Sequence, residues 1–128
     1  MNKLTTNGVT VAVEMEYAAR HSEPAVSNYV FSYHITIINE GMDTIQLLSR
    51  HWRIFDAIGD RREVKGDGVI GEQPILKPGD IHRYRSWCPL KSEIGQMRGS
   101  FQMINLESKE SFDVKIPAFD LLTPAKEN

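Results

Sequence analysis

The stretch from residue 9 to residue 17, VTVAVEMEY, sets Val9, Val11, Val13, Met15 and Tyr17 on one side and Thr10, Glu14 and Glu16 on the other. A period of two belongs to a β-strand with one buried face, and no helix can satisfy it. The pattern recurs in NYVFSYHITII, where Tyr29, Phe31, Tyr33, Ile35 and Ile37 alternate with Ser32, His34 and Thr36. β-Branched and aromatic residues of this kind suit a pleated surface. IHRYRSW sets His82 and Tyr84 against Arg83 and Arg85, and MRGSFQM groups Met97, Gly99, Phe101 and Met103. Gly99 in that position implies a bend or a close backbone neighbour. The last alternating set is Phe112, Val114 and Ile116, which Pro117 is expected to end.

TIQLLSRHWRIFDAI admits two readings, because Ile45, Leu48, Trp52 and Phe55 also fit a helical stripe. Its flanks favour a strand. NEGMD precedes it as a turn, and IGDRREV after it reads as a hairpin returning into a short strand. LKPGD places Pro78 and Gly79 where a tight turn requires a fixed φ followed by a permissive one. About seven strands joined by polar and Gly/Pro turns predict one all-β domain over residues 1–128, an antiparallel sandwich or barrel. Its core is expected between about residues 3 and 120, with the tail 121–128 fraying.

Charge narrows the function classes. Fifteen basic and seventeen acidic residues give a net charge of -2 and are interspersed along the chain. A nucleic-acid binder clusters Lys and Arg to neutralise phosphates, so that class is not expected. Arg61, Arg62, Arg83 and Arg85 read as solvated strand or turn charges. Cys88 is the single cysteine, which excludes an intramolecular disulfide and a multi-cysteine zinc site. Because Pro89 follows it, Cys88 is placed at a strand end as a structural thiol. Glu14 and Glu16 interrupt the N-terminal apolar run, and no apolar stretch reaches membrane-spanning length. A cytoplasmic protein without membrane association is expected.

GDGVIGEQP carries Gly66, Gly68 and Gly71 on the spacing G-x-G-x-x-G. A dinucleotide site needs a helix after that turn, whose N-terminal amides meet the pyrophosphate. Pro74 and Pro78 follow instead, and no Lys-Ser or Lys-Thr supplies a P-loop. Two readings of the stretch stay open. It is a conformationally demanding inter-strand turn, or its amides form an anion-binding nest from Gly66, Gly68, Gly71, Glu72 and Gln73, with Arg50, His51 or Arg53 supplying positive charge. His21, His34, His51 and His82 lack metal-ligand spacing, so neither a metal nor a cofactor is expected. Trp52 and Trp87 are each either packing residues or exposed binding aromatics.

Several blocks together carry a resemblance. LLSRHW (47–52), GVIGEQP (68–74), WCPL (87–90), GQMRGSFQM (95–103) and FDVKIPAF (112–119), in this order, resemble the ApaG domain family over almost the whole chain. The resemblance implies a β-sandwich of the immunoglobulin or fibronectin type III kind and favours the strand reading of QLLSRHW. It implies no catalytic activity. Bacterial members are often encoded beside a diadenosine tetraphosphate hydrolase, and related domains occur within eukaryotic F-box and DNA-polymerase-interacting proteins, which implies partner binding. Arg50, His51, Trp52 and the loop Gly66, Gly68, Gly71, Glu72, Gln73 match its most recognisable segments, whereas Trp87 stands where the family usually has glycine. The expected function is a non-enzymatic binding module for a protein partner. The alternatives are a phosphate, pyrophosphate or nucleotide binder using the loop 66–73 and, third, a metal-dependent hydrolase.

Overall fold

The computed structural model describes residues 2–127. Nine strands run in chain order: β1 (Asn2–Thr6), β2 (Val9–Tyr17), β3 (Tyr29–Asn39), β4 (Ile45–Asp56), β5 (Arg61–Asp67), β6 (Ile75–Leu76), β7 (Ile81–Leu90), β8 (Ile94–Asn105) and β9 (Ser111–Leu122). Single 3-10 turns occur at Ala19–His21 and Pro24–Val26, and the short helix α1 covers Pro124–Glu127. The strands form two antiparallel sheets, β1-β2-β3-β7 and β5-β4-β8-β9, with β6 paired to β4. This is the expected sandwich. The two additional strands are β1, which has no apolar alternation, and β6, which is two residues long.

The facing sides of the sheets bury one continuous core that includes Val11, Phe31, Ile37, Leu47, Phe101, Met103 and Val114, all with essentially no exposure. Two bulges explain where the sequence pattern breaks. In β4 the register shifts between Leu47 and Ser49, so Ile45 and Leu47 face the core before the bulge and Trp52 and Ile54 face it afterwards. One extra residue thus switches inward-facing positions from odd to even. That switch produced the helix-like spacing.

The second bulge corrects one expectation. β9 does not end at Pro117: its register with β8 shifts between Met97 and Gly99, opposite Pro117 and Ala118, and the strand continues to Leu122. Proline is tolerated there because β9 is an edge strand and the position is a bulge. The first residues of the tail belong to regular structure. Phe119 and Leu121 are buried, Thr123 is 4% exposed and donates through Oγ1 to Glu93, and α1 follows. Of the tail expected to fray, only Asn128 lies outside the described residues. Pro89 likewise stands inside β7, on another sheet edge.

Gly99 has the close neighbour expected. A Cβ there would collide with the His51 backbone carbonyl and lie 2.9 Å from Trp52 Cε3, so the glycine admits both the neighbouring strand and the buried indole. The two long sides of the sandwich differ. On one, β1 and β9 pack together, and Asn2 Nδ2 donates to the Ala118 carbonyl at 2.7 Å while Asn7 Nδ2 donates to that of Asp113 at 3.1 Å. On the other, β5 and β7 end their sheets without extensive packing. Arg62 spans that gap, donating from Nη2 to the Pro89 carbonyl at 2.6 Å beside Cys88 Sγ.

Candidate functional site

The glycine stretch docks onto the bulge of β4. Leu48, the extra residue, directs its carbonyl towards the stretch and accepts from the Gly68 amide and from Gln73 Nε2, each at 2.8 Å. Val69 is buried, its amide donates to the Glu72 carbonyl at 2.8 Å, and the Glu72 amide donates back at 3.0 Å. Between them Ile70 and Gly71 adopt φ of 47° and 75°, the left-handed pair of a two-residue hairpin turn. Gly68 has φ of 61°, and a methyl group there would collide with the Glu72 carbonyl. The amides of Gly68, Val69 and Glu72 are therefore spent within the chain. Glycine serves here for left-handed backbone and close approach.

Arg50 completes this arrangement. It lies opposite Gly66 in the β4-β5 register and donates from Nη1 to the carbonyls of Asp67, at 3.1 Å, and Gly68, at 2.9 Å. Its charge reaches the buried phenols of Tyr33 and Tyr84. Burial raises both pKa values; for Tyr33 a hydrogen bond with Ser86 and the Arg50 charge oppose the rise, and for Tyr84 the Arg50 charge does. Tyr84 Oη is buried without a hydrogen-bond partner among the described residues. Glu72 lies 3.9 Å from His82 Nε2.

His51 and Arg53 are elsewhere. The period of two places them on the outer face of β4, opposite in sense to Arg50. There His51 Nε2 meets Glu63 Oε2 at 3.1 Å, Arg53 Nε lies 3.8 Å from Oε1, and Lys65 Nζ 4.0 Å from Oε2. The hydrogen bond with His51, helped by the charges of His51, Lys65 and Arg53, holds the Glu63 carboxyl below its ordinary pKa. The structure thus gathers Gly66, Gly68, Gly71, Glu72, Gln73 and Arg50 into one docked loop, and separates His51 and Arg53 from them.

The same outer face holds residues that strand patterning alone did not single out. Arg98 lies directly opposite Arg53, and Arg61 opposite Phe55 with its guanidinium 5.1 Å from the ring centroid. Only the register of three strands brings them together. The two tryptophans also part company. Trp52 is 2% exposed and packs edge-on against Tyr33 and Phe119, whereas Trp87 is 45% exposed on the outer face of β7. His21 meets the Trp87 ring edge-on at 5.1 Å, and the Arg85 guanidinium lies 5.6 Å from its centroid. Among the described residues, no three His, Cys, Asp or Glu side chains are grouped to hold a metal ion.

Comparison with known proteins gives this architecture its relatives. The sequence pattern of the ApaG domain matches residues 19–105. The chain is 46% identical over 124 residues to Protein ApaG of Methylorubrum populi, covering 97% of this chain and 95% of that protein. Protein ApaG of Brucella canis is equally similar, with the same coverage. Among solved structures, the putative ApaA protein of Bordetella pertussis superposes with a TM-score of 0.87 at 41% identity, covering 91% of this chain and 94% of that one.

Proposed function

From the premise that the chain belongs to the ApaG domain family, we propose that it is a non-enzymatic, cytoplasmic binding module that recognises a protein partner at the open side of the sandwich. The observation that carries this reading is Trp87, 45% exposed on the edge strand β7 and held between His21 and Arg85. Trp and Arg are enriched among the residues that dominate the energetics of protein interfaces, Trp because its rigid ring offers a large contact area at a small ordering cost. Before Pro89, whose carbonyl Arg62 occupies, the edge of β7 adds backbone groups to which a partner strand can pair. On the opposite side β1 and β9 pack together, and the side chains of Asn2 and Asn7 already occupy the Ala118 and Asp113 carbonyls of β9.

Affinity capture from native lysate with the wild-type chain and Trp87→Ala tests the reading. A specific partner is expected to be retained by the wild type and weakened by about 2 kcal/mol or more in a folded variant. Equal capture by both forms, or repeated failure to capture a partner while the purified chain turns over a substrate, would overturn it.

A further inference from the structure

The outer face of the β5-β4-β8 sheet holds a second feature, on the other sheet from Trp87. Arg53, Arg61 and Arg98 line an open concavity of about 560 Å³ together with Phe55, Gln96 and Glu63. Arg53 and Arg98 are direct cross-strand partners. Like charges in that relation repel one another, so the folded sheet holds them together at an electrostatic cost.

The local acids do not remove that cost. Among the described residues Glu63 is the only carboxylate lining the concavity, and it is shared among His51, Arg53 and Lys65. Among the described residues neither Arg61 nor Arg98 makes an ion pair with a carboxylate: Arg61 covers the Phe55 ring, and Arg98 Nη2 donates to Gln96 Oε1 at 2.8 Å. Gln96 in turn reaches Asp120 through Nε2 at 3.3 Å. Arg62 also borders the concavity, but its guanidinium is directed to Pro89. Among the described residues, each of the three arginines therefore retains N–H donors with no acceptor. A guanidinium presents those donors as a planar fork that matches phosphoryl oxygens.

The geometry points to a binding site for a compact polyanion carrying at least two linked phosphoryl groups. Arg53 and Arg98 form one row across the sheet, and Arg61 stands one inward–outward repeat away, about 7 Å along the strand. Two linked anionic groups span both rows, whereas a single one satisfies them incompletely. The volume matches a small-molecule cleft. This site is distinct from the glycine stretch, whose Gly68, Val69 and Glu72 amides are spent on the chain, and it goes beyond the protein-partner reading. Because the two faces belong to different sheets, failure of either leaves the other intact.

The test is a titration of the whole chain with inorganic pyrophosphate at low salt, followed by backbone amide chemical shifts, with inorganic phosphate as the comparison. Saturable shifts are expected around Arg53, Phe55, Arg61, Gln96 and Arg98, with phosphate weaker. Arg98→Gln is expected to weaken binding roughly tenfold, as loss of one charge-assisted contact should. Glu63→Gln should tighten it, and Lys109→Gln on the β8-β9 turn should leave it unchanged. Absence of saturable shifts at millimolar pyrophosphate would overturn the proposal. So would shifts centred on Gly66–Gln73, or equal weakening by Arg98→Gln and Lys109→Gln. Circular dichroism of each variant separates lost binding from lost fold.

Discussion

Arg50 and Gly66 face each other across β4 and β5, and a Cβ on residue 66 would lie 2.9 Å from Arg50 Nη1. The glycine leaves room for the guanidinium to reach the carbonyls of Asp67 and Gly68. An arginine is thereby fixed over its own sheet, stapling a loop to a strand.

Replacing either member should release the staple. Arg50→Lys keeps the charge but loses the two-carbonyl geometry, and Gly66→Ala displaces the guanidinium. Each should cost about 1–2 kcal/mol in urea unfolding. The double variant should cost clearly less than the sum, since both changes remove the same contacts. Additive losses would contradict the coupling.

Two glycines of one stretch should respond differently to alanine. Gly71 has left-handed φ but nothing within 4 Å of its missing Cβ, so Gly71→Ala pays only for backbone conformation, about 1 kcal/mol. At Gly68 the same change also drives a methyl group into the Glu72 backbone, and a loss of roughly 3 kcal/mol or more is expected. Thermal melts of the two variants check the order.

Asp56 is 4% exposed and ties the end of β4 to the β7-β8 turn. Its carboxylate accepts from the Lys91 amide and from Ser92 Oγ, both at 2.6 Å. Asp56→Ala strands these donors and should destabilise by about 2–3 kcal/mol, while Asp56→Asn, which keeps one acceptor oxygen, should lose less. Denaturant midpoints give the comparison.

Glu63 predicts an acid response. Its folded-state pKa lies below the ordinary carboxylate value, so the unfolded chain takes up the proton more readily. Its contribution to stability is complete above the ordinary carboxylate value and is lost as pH falls through the lowered one. Glu63→Gln removes that component, and its stability should fall less steeply with acid below about pH 4.5 than the wild type's. Identical slopes would show that the His51 contact carries no linkage.

The sequence revealed the sandwich because most strands bury one face, which writes itself as alternation. It misled wherever a bulge reset that alternation. Leu48 made β4 resemble a helix, and Pro117 with Ala118 hid the half of β9 that buries Phe119 and Leu121. The glycine stretch was legible as a demanding turn, but its acceptor, the Leu48 carbonyl, exists only because of the bulge. Adjacency in sequence made Arg50, His51 and Arg53 equivalent candidates for the loop's charge partner, yet a strand sends Arg50 to one face and the other two to the opposite one. The reverse holds for Arg53, Arg61 and Arg98, which are distant in sequence and adjacent by register.

The contact between Asn2 and Ala118 joins positions 116 residues apart. Sheets closed by such distant partners fold slowly, because a long loop must be ordered before its contacts stabilise anything. During synthesis, β2 and β3 can pair early, but the second sheet lacks β9 until nearly all of the described chain has emerged. Until then the hydrogen-bonding edge of β8 that β9 later covers has no partner strand. The packed side of the sandwich is thus the last to exist, and the ribosome-bound chain is most exposed to misassembly along the seam that later becomes its most closed.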